Sequence, residues 1–110
     1  MFEKDLKIGL LLDFYGEVLT ERKRTVLDFY YNDDLSLSEI ADELGVSRQA
    51  VRELIGKASA ELLFLEEKLG LAARFQETQN CAEQLLHLLE EAEVDDRIRR
   101  AAEDLAKAIR

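Results

Sequence analysis

The stretch Leu35–Ile55, LSLSEIADELGVSRQAVRELI, constrains the fold of this chain more than any other. Ser36 is followed three residues later by Glu39, the spacing of a capping box, in which each side chain satisfies a backbone donor of the first helical turn. A short helix, Leu37–Leu44, is expected from there, and Gly45 can take the left-handed conformation that ends it. Val46 follows, and Ser47 caps the next helix. Ala41 is the small residue that lets two helices cross closely, while Ile40, Leu44, Val46, Val51, Leu54 and Ile55 supply apolar anchors to both. Two helices joined by so short a turn, the second opening on polar side chains, make a helix-turn-helix.

The remaining sequence agrees with an all-α fold. There is no proline, the apolar 47% is mainly leucine and alanine, and no stretch alternates with a period of two. At 110 residues the chain is expected to be a single helical domain, with a helix-turn-helix module over 1–60 and a C-terminal helical extension over 61–110. Asp5–Tyr15 reads as a first helix with a stripe of Leu6, Leu10, Leu11 and Phe14, ended by Gly16. Thr20 caps a second, Glu21 to about Asn32, carrying Val26, Leu27, Tyr30 and Tyr31. Beyond Ser47, the positions Val51, Ile55, Ala58, Leu62, Leu65 and Leu69 form a heptad seam that Gly70 interrupts. Leu71, Phe75, Thr78, Ala82, Leu85 and Leu89 repeat that spacing in a fifth helix, and Ile98, Ala102, Leu105 and Ile109 mark a last one. These C-terminal helices are expected to pack as an antiparallel hairpin or three-helix bundle. Leu63, Phe64, Leu86 and Leu88 are surplus to it and point to a second subunit, hence a homodimer.

The polar opening of the second motif helix is the candidate site. Ser47, Arg48, Gln49 and Arg52 are the residue types that reach base edges or phosphates from such a position, arginine matching guanine and glutamine matching adenine. Ser47 and the amides behind it suit a phosphate. Lys57 further along, and the cluster Arg22, Lys23 and Arg24, are candidate backbone contacts. Against DNA or RNA as partner stands the charge. The net value is −9, and residues 20–57 hold 6 basic and 8 acidic side chains. Affinity for duplexes comes mostly from phosphate neutralisation, so a monomer should bind weakly and a dimer more firmly. Protein recognition by the same helices is the alternative.

Other functions find little footing. No phosphate loop, nucleophile elbow or paired catalytic carboxylates occur, so no enzyme and no cofactor are expected. His87, the only histidine, reads as a partly buried helix residue, with no second ligand at metal spacing. Cys81, the only cysteine, excludes an internal disulfide, fits a reducing cytoplasm and reads as a small buried thiol. In MFEKDLKIGLLLDFYG the charges Asp5 and Lys7 interrupt any leader-like apolar run, and Ile8–Leu12 is far too short for a membrane span. Asp33-Asp34 and Asp95-Asp96 fall at helix boundaries, where aspartate caps are expected.

The runs DFYGEVLTERKR, LDFYYNDDLSLSEIADELGVSRQAV and LEEKLGL together resemble the YlxM family of small bacterial helix-turn-helix proteins, over roughly residues 5–75 and most closely over 29–51. The resemblance implies a four-helix module like region four of sigma factors, without a wing, followed by C-terminal helices. It also implies a gene beside that of the signal recognition particle GTPase, and so a role in that protein-targeting pathway with particle components as partners. After VSRQAV the family tends to continue with an aromatic residue and then a Lys-Arg pair. This chain has Arg52 and Gly56-Lys57 there, so it keeps the first-turn residues and loses one basic charge further on.

Overall fold

The computed structural model describes residues 4–109, and these divide into two compact units at Gly70. Six α-helices carry them, and among the described residues there is no β-strand.

α1 (Leu6–Tyr15) starts where the Asp5 carboxylate accepts the Lys7 amide at 2.9 Å. Its inward residues are Ile8, Leu11, Leu12 and Tyr15. This differs from the expected stripe: Leu6 is 86% exposed and Leu10 half-exposed. Positions 8, 11, 12 and 15 follow the i, i+3, i+4, i+7 pattern of one helical face, which Leu6, Leu10, Leu11 and Phe14 do not. A 3₁₀ turn over Gly16–Val18 leads to Thr20, whose hydroxyl caps α2 (Glu21–Leu27). The helix expected to run on to Asn32 does so in a wider form. Asp28–Asn32 is a π turn, its end marked by the Asp33 amide donating to the Asp28 carbonyl at 3.0 Å. The Tyr30 and Tyr31 rings meet there edge to face, 5.2 Å apart, Tyr30 buried and Tyr31 half-buried.

α3 (Leu37–Leu44) begins with the full capping box. The Glu39 amide donates to Ser36 Oγ at 3.1 Å, and the Ser36 amide donates to Glu39 Oε1 at 3.0 Å. Gly45 ends it at φ +68°, a conformation that costs a residue bearing Cβ about 1–2 kcal/mol. α4 (Arg48–Leu69) then runs unbroken past residue 60 to Gly70, which sits at φ +63°. It is the centre of the first unit, packing on α1, α2 and α3. Its own Val51, Ile55 and Leu62 meet Leu11, Tyr15, Val26, Leu27 and Ile40 in the core, each less than 2% exposed. Two polar links pin α4 in place: the Tyr15 hydroxyl donates to Glu66 Oε1 at 2.6 Å, and Lys23 Nζ donates to Glu61 Oε1 at 2.8 Å.

The second unit is an antiparallel hairpin of α5 (Leu71–Glu91) and α6 (Asp96–Ile109). Asp95 opens α6, its carboxylate accepting the Arg97 amide at 2.8 Å. The buried residues are Ala72, Ala82, Leu89 and Ala102, with Phe75 and Leu86 half-buried. Of the expected seam, Ala82 and Leu89 are buried and Phe75 half-buried, while Leu71, Thr78 and Leu85 are exposed. Two further expectations on α5 are corrected. Cys81 is exposed rather than buried, and the His87 side chain is 69% exposed, 3.2 Å from Glu91. No helix among the described residues is long and apolar enough to cross a membrane.

Candidate nucleic-acid interface

The first turn of α4 is presented by the turn that precedes it. Gly45 reverses the chain after α3, the Val46 amide donates to the Ala41 carbonyl at 3.0 Å, and Ser47 Oγ accepts the Ala50 amide at 3.0 Å. Ile40, Val51 and Ile55 are at most 1% exposed and Ala41 is buried, so α3 and α4 are locked at the crossing. Leu44, Val46 and Leu54 complete the anchors as half-buried residues. What remains outside is Ser47, Arg48, Gln49, Arg52 and Glu53, all exposed. At about 100° per residue, Arg48, Arg52 and Gln49 fall within roughly 100° of one another on the helix. They stand at its positive dipole end, where an anion is favoured.

The other basic candidates do not join that face as a group. Lys57 lies roughly 140° around α4 from Arg52. Arg22, Lys23 and Arg24 are consecutive on α2, so their side chains fan out in steps of about 100°. Lys23 is half-buried and bonded to Glu61. Arg24 lines an open groove of about 630 Å³ together with Asp13, Glu17 and Asp28, and so faces carboxylates. Arg22 is exposed on the opposite flank of α2.

Carboxylates also frame the reading turn. Asp33, Asp34, Glu39, Asp42 and Glu43 are exposed before and along α3, and Glu53 stands next to the basic face on α4. Two of these are committed to the fold. Lys4 bonds Asp34, and its ammonium holds that carboxyl below the usual range; the Ser36 amide does the same for Glu39. Both stay ionised at neutral pH; Glu39 adds to the negative field along α3, while Asp34 is balanced by Lys4.

This is a helix-turn-helix with a small basic head in an acidic setting. Residues 2–105 match the family described as "Putative helix-turn-helix protein, YlxM / p13 like", UPF0122. The chain belongs to the UPF0122 family. The UPF0122 proteins of Bacillus cereus strains AH187 and G9842 and of Bacillus anthracis strain A0248 are each 43% identical to it over 108 residues, 97% of this chain and 98% of theirs. The family match extends through α5 and most of α6, so the hairpin belongs to UPF0122 as much as the motif does, well past residue 75. UPF0122 is a helix-turn-helix family by description.

Sequence reasoning found the exposed head but missed what surrounds it. Glu61, which holds Lys23, lies 38 residues away in the chain, and Glu66, which accepts from Tyr15, lies 51 away. No local pattern announces either pair.

Proposed function

We propose that this chain is a regulatory helix-turn-helix protein of the bacterial cytoplasm that binds nucleic acid as a homodimer and acts in the signal recognition particle pathway. The observation that carries the reading is the exposed trio Arg48, Gln49 and Arg52, held at the start of α4 by a capped, left-handed turn. Arginine and glutamine there can address base edges while Ser47 and the helix start meet a phosphate. Arg22 and Lys57 are peripheral phosphate contacts in this reading, and Lys23 and Arg24 contribute least because of their carboxylate neighbours. The pathway comes from the resemblance to YlxM proteins. Retarded migration of DNA upstream of the protein's own operon, or of the particle's RNA, lost in Arg48→Ala, is the expected result. No retardation of either at low salt and high protein concentration would refute it.

A second reading has its own support in the acidic run of α3, with Glu39, Asp42 and Glu43 exposed beside the head. Such a surface suits a basic protein face better than a duplex. On that reading the motif docks on a protein component of the particle as an accessory factor. Co-elution with the purified particle that survives ribonuclease treatment would favour it over the first; co-elution abolished by ribonuclease would exclude it.

A further inference from the structure

We infer that the α5–α6 hairpin is the dimerisation surface, with α5 of one copy lying over α6 of the other. This deepens the homodimer of the proposed function and rests on that part of it alone, not on nucleic-acid binding.

The hairpin has a second apolar face besides the one that joins its helices. Leu85, Leu88, Ile98 and Leu105 are 39%, 53%, 54% and 51% exposed, and Cys81 and Ala101 beside them are exposed as well. Counted at about 100° per residue, the α5 positions 81, 85 and 88 centre roughly 90° from Ala82. The α6 positions 98, 101 and 105 centre about 70° from Ala102 in the same rotational sense. In antiparallel helices equal senses of rotation lead to the same side. The two stripes therefore form one continuous face, about 20 Å on each side, or ~400 Å². That is as large as the apolar patches monomeric proteins usually leave in water.

Charge on the two edges of this face says what covers it. The outer edge of α5 carries Glu77, Gln84 and Glu91; the outer edge of α6 carries Arg97 and Arg100, with Asp104 beside them. All are exposed. One edge is acidic and the other net basic, so the face complements a second copy of itself. A two-fold axis running along the hairpin places α5 over the partner's α6, and each acidic edge meets a basic one. A two-fold axis running across the helices would set α5 on α5 and oppose the Glu77 and Glu91 edges. The first arrangement is selected. It preserves height along the hairpin, so Glu91 near the turn comes level with Arg97 of the other copy. Within one chain Arg97 is bonded to Asp95 and Glu91 meets His87, but both are exposed pairs that exchange at little cost.

Sedimentation equilibrium of the full chain over about 1–200 µM tests this by mass action. A reversible dimer is expected. Leu88→Glu and Leu105→Glu should each raise its dissociation constant by about 100-fold, since each buries two carboxylates. Both residues are already exposed, so an unchanged helical circular-dichroism signal is expected. Glu91→Arg and Arg97→Glu should each weaken association by about 10-fold, and the double variant should recover most of that loss. A wild-type monomer at the highest concentration, or a dimer indifferent to Leu88→Glu and Leu105→Glu, would overturn the inference. A double charge variant weaker than either single one would overturn the pairing of α5 with α6. A dimer that behaves as expected but retards no nucleic acid sustains this inference and refutes only the nucleic-acid reading.

Discussion

The α1–α4 unit and the α5–α6 hairpin are built from the same residue types at similar helical spacing, yet they bury them to different depths. In the first, eight large side chains are almost wholly removed from water. In the second, three of the four buried residues are alanines, and Leu89 is the one large side chain among them. The cause is geometric. Two helices share a single line of contact, which closes over small residues and leaves larger ones on the flanks. Four helices enclose a volume that leucine, isoleucine and tyrosine can fill. Burial thus depends on how many neighbours a helix has, not on how apolar its sequence is. The motif stands on a core of its own, while the hairpin leaves most of its large apolar residues exposed.

The comparison is most easily broken by truncating one large residue in each unit. Leu62→Ala should cost about 2–5 kcal/mol in urea denaturation, because a wholly buried leucine leaves a cavity in α4. Leu105→Ala in the hairpin should cost under about 1 kcal/mol at concentrations where the chain is monomeric. Equal losses would show that the hairpin has a core as deep as the motif's. Tyr15→Phe keeps the buried ring and removes the donor to Glu66, at an expected cost of about 1–3 kcal/mol in the same experiment. Next in size, Gly45→Ala should lose about 1–2 kcal/mol, since φ +68° is strained for any residue with a Cβ.

The smallest effect concerns pH and appears in both units. Lys4 depresses the Asp34 carboxyl, the Ser36 amide depresses Glu39, and the Arg97 guanidinium depresses Asp95 while Asp95 raises Arg97. A carboxyl whose folded pKa is lowered stabilises the fold fully above its unfolded value, about 4, and loses that contribution as pH falls through the folded value. The thermal midpoint should therefore be flat from about pH 7 to 5 and drop below about 4. Glu39→Gln retains the acceptor for the Ser36 amide but no longer titrates, so its acid drop should be shallower. An identical acid profile in wild type and Glu39→Gln would remove the capping box from this account.

The motif was legible in the sequence because its determinants are local. Ser36 and Glu39 are three residues apart, and Gly45 and Ser47 stand at the turn they shape. The exposed Arg48, Gln49 and Arg52 follow from that frame. The α5 contact line was legible only in part: Ala82 and Leu89 turn inward as their spacing suggested, but Leu71, Thr78 and Leu85 make as regular a stripe and stay exposed. Only the position of α6 decides between them. The same ambiguity misplaced Cys81 and His87. In the site, Lys23 looked like part of a basic triplet, and nothing nearby in sequence revealed Glu61. The π turn at Asp28–Asn32 likewise has no signal in a segment that reads as ordinary helix.

The most direct test of the functional claim is the salt dependence of nucleic-acid binding, followed by fluorescence anisotropy for the wild type and Arg48→Ala. Each phosphate contact on a duplex contributes about −0.9 to the slope of log K against log salt. With Arg22, Arg48, Arg52 and Lys57 as the exposed cations of that reading, the slope should be shallow, about −3 to −4 for each chain bound. Arg48→Ala should weaken binding and, where its contact is to phosphate, reduce the slope by about 1. Binding that leaves both affinity and slope unchanged in Arg48→Ala, or no anisotropy change at about 50 mM salt, would contradict the reading of α4 as the nucleic-acid head.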